Sequence, residues 1–198
     1  MIPLLKFPFF GLCLAVLTLL SPLAGSAMSV IPPTFGELVA RAETVARVEV
    51  TGQSTRWDTS ASGKKVIHTY VECKVIKQLK GTPQTTLSLR LLGGQVGNEV
   101  MEISDMPTFV TGQHYIVFVA ANGKAFCPLV GVMHGKYSLS ADAAGTDHVR
   151  RNNGAPLRSA AEVSTSDESE SFAPGELGMT RDDFEAAISA EVQHASGK

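Results

Sequence analysis

The clearest pattern in the chain is the alternation over residues 66–80. Ile67, Thr69, Val71, Cys73 and Val75 fall on one side, His68, Tyr70, Glu72, Lys74 and Gln78 on the other, and Ile76 intrudes on the polar side. A period of two marks a strand with one buried face. This run exceeds the usual five or six residues, and a long, bent strand is how a small barrel serves both of its sides. Shorter runs repeat the theme: residues 45–50 alternate, and Leu87, Leu89 and Leu91 alternate with Ser88 and Arg90 until Gly93 and Gly94 interrupt. Residues 100–103 form a short strand candidate. Residues 115–120 are apolar on both sides, which predicts a central strand. Asn122-Gly123 is a hairpin signal, so residues 125–133 are expected as the partner strand, with Pro128 at an edge or bulge. Residues 135–139 close the series. Residues 53–64 are polar and read as a loop carrying Trp57, and residues 107–112 read as a loop carrying Phe109.

Helical spacing brackets these strands. Thr34 with Glu37 forms a capping box, and Phe35, Leu38, Val39 and Ala42 follow at helical intervals, so a helix is expected over 35–44. Thr180 with Asp183 repeats that arrangement ahead of Phe184, Ile188 and Val192, predicting an amphipathic helix over 181–194. Asp182 and Asp183 suit its dipole. Its apolar stripe needs either its own domain or a partner's groove. Residues 140–178 are rich in Ala, Ser, Gly, Asp and Glu, and such a stretch buries too little to offset chain entropy. It reads as a disordered linker.

The N-terminus has Lys6, an apolar run from Phe7 to Leu20, and small residues ending at Ala27. These are the parts of a cleavable secretory signal, with Gly25 and Ala27 at the positions before the cut. The run is short for a spanning helix, which needs about 20 apolar residues. The expected organisation is a signal peptide at 1–27, a β-barrel domain at 28–139, a linker at 140–178 and a helix at 179–198. The mature protein is then periplasmic or secreted, without a stable membrane anchor.

Composition adds little to this. The chain of 198 residues is 44% hydrophobic, enough for a real core. Its formal net charge of −2 becomes −3 once the leader and its single charge, Lys6, are removed. No basic stripe exists, so nucleic acid is not an expected partner. Export would place Cys73 and Cys127 where two thiols can pair, the alternative being two buried thiols that never meet.

Candidate chemistry is sparse. His68 and Glu72 share a strand face but lie about 13 Å apart, and Cys73 points the other way, so they cannot chelate one ion. A site assembled across strands from His68, His114 and His134 would make a metal-dependent hydrolase, the enzyme alternative. Neither a zinc-binding HExxH, a paired CxxC nor a GxSxG elbow occurs. Cys127 lies before Pro128 in an apolar run with no nearby base, and the glycines at 93, 94 and 97 read as a turn or corner with no helix behind them to cradle a phosphate. No catalytic residue, metal or cofactor is therefore expected.

One ordering of motifs carries a resemblance. A long strand ends in VIKQLKG at Val75 to Gly81, TGQHYIVFV follows at Thr111 to Val119, and GKYSL at Gly135 to Leu139. This resembles a group of uncharacterised exported bacterial proteins and, more distantly, netrin-like modules and tissue inhibitors of metalloproteinases. The resemblance covers residues 34–139 and implies a mainly β fold: a small OB-like antiparallel barrel with a preceding helix. Inhibition does not carry over, because that family uses an N-terminal Cys and the expected mature chain starts at Met28. The expected role is a non-enzymatic binding module whose partner is a protein, such as an exported peptidase, or an envelope glycan. A structural envelope component is a further alternative. OB-type barrels bind through one sheet face and its rim, which singles out Trp57, Tyr70, Phe109 and His114.

Overall fold

A computed structural model describes residues 31–60, 62–164, 172–173 and 175–196. The expected leader lies outside the described residues, as do residues 165–171 and 174 of the expected linker. The mainly β class holds. Helix α1 (Phe35–Arg41) leads into β1 (Thr44–Thr59), β2 (Lys65–Lys80), β3 (Thr86–Leu92), β4 (Gly94–Val96), β5 (Glu99–Met101), β6 (His114–Val119), β7 (Lys136–Ala141) and β8 (Asp147–Arg150), and helix α2 (Arg181–Ser196) follows. The Thr34 box forms as expected: the Thr34 hydroxyl accepts from the Glu37 amide at 3.3 Å, and the Glu37 carboxylate takes the Thr34 amide at 2.8 Å.

Six strands form one antiparallel sheet in the order β3-β2-β1-β6-β7-β8, and β4 pairs with β5 apart from it. The expected barrel does not close, because both sheet edges are already occupied. Along β3, the Asn122 amide donates to the Ser88 carbonyl at 2.7 Å and its oxygen accepts from the Arg90 amide at 3.2 Å. The Leu92 amide donates to the Phe126 carbonyl at 2.8 Å. Along β8, the Val149 amide donates to Met179 and its carbonyl accepts from Leu157, both at 3.0 Å. Covered edges cannot pair with each other or template aggregation.

The β1–β2 register contains three bulges, at Thr51, Ile76 and Leu79. Each reverses which residues face which side. Ile76 is the residue that broke the polar side of the alternation. Before it, Val71, Cys73 and Val75 join one core; beyond it, Lys77 reaches α2 and Leu79 packs on the other core.

The sheet is therefore buried on both sides where β1 and β6 run. On one side, Val45, Ile116, Phe118, Leu139 and Val149 meet Leu38 and Val39 of α1 and Phe184 and Ile188 of α2. On the other, Val48, Val50, Val71, Leu89, Leu91 and Val117 lie beneath Phe109 and Leu129 of the covering loops. This two-sided burial explains the unbroken apolar run of β6. Helix α2 docks on its own domain, with Phe184 against Tyr137 at 5.1 Å and Phe35 at 6.0 Å between ring centroids. Each such buried side chain contributes about 1.5–3 kcal/mol.

Three further expectations need correction. Residues 53–59 are not a loop but the outer half of β1, paired with β2 through Thr59. Residues 125–133 do not form a strand: Pro128 lacks an amide for a ladder, and Gly131 and Val132 turn left-handed at φ 63° and 57°. Only a single bridge, Val119 to Leu129, remains there. The linker expected at 140–178 contains β8 and buries Val149, Leu157 and Val163, three apolar residues that composition averaging hid.

Candidate functional site

The outer half of the β1–β2–β3 ribbon carries the described cavity, of about 500 Å³, on the side away from the helices. Its floor is Val71 and Leu91, and its cover comes from Met101, Ile103, Met106 and Phe109. The volume falls within the 300–1,000 Å³ typical of ligand pockets. The corner at Gly93 and Gly94 makes the cover possible. Gly94 has φ 130°, and a Cβ there would lie 2.5 Å from the Thr69 hydroxyl. Only glycine lets β3 turn over the ribbon at that separation.

The far end of the cover is pinned by three side chains from three strands. Gln53 of β1 donates to the Phe109 carbonyl at 2.9 Å, Lys136 of β7 to the Thr108 carbonyl at 2.6 Å, and the Tyr115 hydroxyl of β6 accepts from the Val110 amide at 3.1 Å. Thr69 donates to the Gly93 carbonyl at 2.8 Å, and Thr55 to the Gln95 carbonyl. Most of these polar groups thus hold the cavity walls together, and the larger part of what faces the space is aliphatic, thioether and aromatic, with exposed Ser104 and Glu102 as polar additions. Glu102, exposed, is the one charged residue among the described residues lining it.

Lys136 is buried, with its ammonium 5.4 Å from the Phe109 ring and 5.5 Å from the Tyr115 ring. Burial pulls its pKa down to about 8. Burial also raises the Tyr115 hydroxyl, partly offset by the Val110 amide.

The residues singled out by sequence are not brought into one place. Phe109 lines the cavity. Trp57 sits opposite Ile67 on the same side of the ribbon, half-buried, with the Lys65 ammonium 4.0 Å over its ring. Tyr70 is on the reverse side, beneath the Arg56 guanidinium at 3.6 Å. His114 opens β6 opposite Glu49. Met101, Ile103, Met106 and Lys136 were not singled out; the signal available was a run of apolar residues, 101, 103 and 106, within an otherwise polar loop.

Cys73 and Cys127 are both buried free thiols in the same apolar cluster, not a disulfide. Burial, then the Glu72 charge, pushes the Cys73 thiol up to about 12, and burial raises Cys127 against the Leu129 amide. Neither environment favours a thiolate. His68, His114 and His134 fall on β2, on β6 and in the turn before β7, and no group of three or more metal-ligating side chains is assembled among the described residues. No helix among them is long and apolar enough to cross a membrane.

No protein-family model matches this chain, and no curated protein matches it.

Proposed function

We propose that the chain is an exported, non-enzymatic binding module, periplasmic or secreted, whose cavity receives an apolar group. That group belongs to an envelope component or to a side chain of a partner protein. The observation that carries this reading is the pairing of a mainly apolar floor and cover with wall groups, Gln53, Thr69 and the Gly93, Thr108 and Phe109 carbonyls, that are already bonded. A ligand bringing its own polar interior groups would find few partners there and lose affinity for each one left unmade. Met101 and Met106 suit a cavity that adapts to the shape of its occupant. Glu102 at the mouth disfavours an anionic head group and favours a neutral or cationic one. The edges of the terminal strands β3 and β8 are capped, which limits recognition by strand addition there and favours the cavity as a docking feature.

The test is titration of the purified chain with Nile red, a neutral apolar dye, followed by fluorescence. One saturable site is expected, lost in Met106→Trp, whose indole fills the cavity, while circular dichroism stays that of the parent. Absence of saturable binding in the parent chain would overturn the reading. N-terminal sequencing of the protein from its host tests export, with Met28 as the expected first residue.

A further inference from the structure

The reverse side of the same ribbon carries a cluster that the cavity does not use. Register places Arg56 of β1 beside His68 of β2, and Tyr70 of β2 between Ser54 of β1 and Arg90 of β3, all on one face. Asp58 is the hub. It accepts from the Thr59 amide at 2.8 Å and from the Tyr70 hydroxyl at 3.0 Å, with His68 Nδ1 at 3.3 Å and an Arg90 nitrogen at 3.9 Å. These contacts hold its carboxyl below the usual range, the Thr59 amide most of all.

The cations outnumber that single carboxylate. Arg56 lies flat on Tyr70 and has no ion-pair partner among the described residues, so stacking leaves the edge of its guanidinium free. Arg90 Nε is buried without an acceptor, and the nearest Arg90 contact to Asp58 is long for a hydrogen bond. His68 is buried and its pKa is lowered by burial first and by Arg90 next. Two arginines flank one strand, about 12 Å apart at the backbone, two strands across and two residues along. Arg56 stacks on Tyr70, Arg90 stands in the same row, and neither guanidinium has an acceptor at hydrogen-bonding distance among the described residues.

We propose that this face binds an oxyanion, a carboxylate or a phosphoryl group, bridging Arg56 and Arg90 across Tyr70. Guanidinium forks match the geometry of both groups, and charge-assisted pairs are the stronger hydrogen bonds. Asp58 opposes the incoming charge, but its own is matched by Arg90 and by the Thr59 and Tyr70 donors. The site is independent of the cavity and stands or falls without it, since the two open on opposite faces.

The experiment is an NMR titration of the isotopically labelled chain with sodium acetate, inorganic phosphate and sodium chloride at constant ionic strength. Saturable shifts of the Arg56 and Arg90 Nε–H signals are expected with acetate or phosphate and not with chloride. The better of the two identifies the group. As the site fills, the His68 imidazole pKa rises toward its ordinary value. Arg56→Gln, at an exposed position that leaves folding intact, weakens the response about fivefold or more, and Arg90→Lys, which keeps the charge but not the fork, weakens it as well. Linear shifts common to all three salts, or an Arg56→Gln variant that binds as the parent does, would overturn the proposal.

Discussion

His148 and Asp142 share a contact that only the charged imidazole completes. His148 Nε2 lies 3.1 Å from the Asp142 carboxylate while Nδ1 lies 2.7 Å from the Gly178 carbonyl. A neutral ring has one N–H and can serve one of these acceptors; the imidazolium serves both. The pair ties β8 to the segment entering α2, so a single proton bears on how the C-terminal helix is held.

This sets a pH dependence with a definite sign. The Gly178 carbonyl, then Asp142, raises the His148 pKa above its ordinary 6.5. Its stabilisation is complete below 6.5 and is lost as pH climbs through the folded value. His68 does the reverse: burial lowers its pKa from 6.5, so its share is lost as pH falls below that. Taken by themselves, these two groups favour a pH near 6.5 over either flank. Urea midpoints measured between about pH 5 and 8 should decline less toward alkaline pH in His148→Gln and less toward acid pH in His68→Gln than in the parent. A flat profile in the parent chain contradicts this.

Glu185 of α2 is buried between two cations of the sheet, Arg47 at 2.9 Å and Lys77 at 2.7 Å. Its side chain is 4% exposed, that of Arg47 18% and that of Lys77 51%. Removing the shared carboxylate leaves Arg47 unpaired in a mostly buried setting, so Glu185→Ala should cost about 2–3 kcal/mol. Lys77→Ala removes a partner that water already screens and should cost under about 1 kcal/mol. Denaturant unfolding checks the asymmetry, and equal losses would refute it.

Much of this architecture was legible, and the failures share a cause. The long alternation through Val71 and Cys73, the Thr34 box and the Phe184–Ile188 stripe appear as expected because burial on one side writes itself into the period. The outer half of β1 did not, because Gln53 and Thr55 spend their side chains on backbone carbonyls of the cavity cover, and Arg56 and Asp58 face the cluster on the reverse side. A strand polar on both faces has no apolar rhythm to read. The cavity was hidden for a related reason: its wall is a turn, 101–109, assembled by contacts with β1, β6 and β7 that lie far away in sequence. Strand length alone suggests barrel closure, but the edge contacts of Asn122 and Met179 decide against it, and nothing in their local sequence announces that.

Gly93 and Gly94 form the corner, and Gly94 offers a sharp test of it. A Cβ there would sit 2.5 Å from Thr69 Oγ1 and 2.9 Å from Thr55 Cγ2. Gly112 also has a left-handed φ, of 84°, but open space around it. Gly112→Ala should therefore cost about 1 kcal/mol of backbone strain alone, and Gly94→Ala should cost that plus the displacement of two threonines, more than about 2 kcal/mol in all. It should also abolish Nile red binding. Equal melting temperatures for the two variants would show that the corner is not tightly packed.

Lys136 gives the least intuitive expectation, because removing its charge should help the fold. Its folded pKa of about 8 lies below the ordinary 10.5, so between those values the unfolded chain holds the proton more firmly. The contribution of this group to stability therefore rises with pH across that window, by at most about 3 kcal/mol. The parent curve alone does not show this, because Cys73 acts in the opposite sense: its thiol, ordinarily 9.0 and here about 12, keeps its proton in the fold and weakens stability as pH rises. The difference between parent and Lys136→Met cancels the thiol term. At pH 7 the Met variant should be at least as stable as the parent, since it relieves a buried ammonium at the cost of one hydrogen bond to Thr108. Above pH 8 the gap should narrow steadily as the parent's lysine sheds its proton. A variant less stable at pH 7, with a gap independent of pH, would mean that the Thr108 contact and the flanking rings fully offset the burial of the charge.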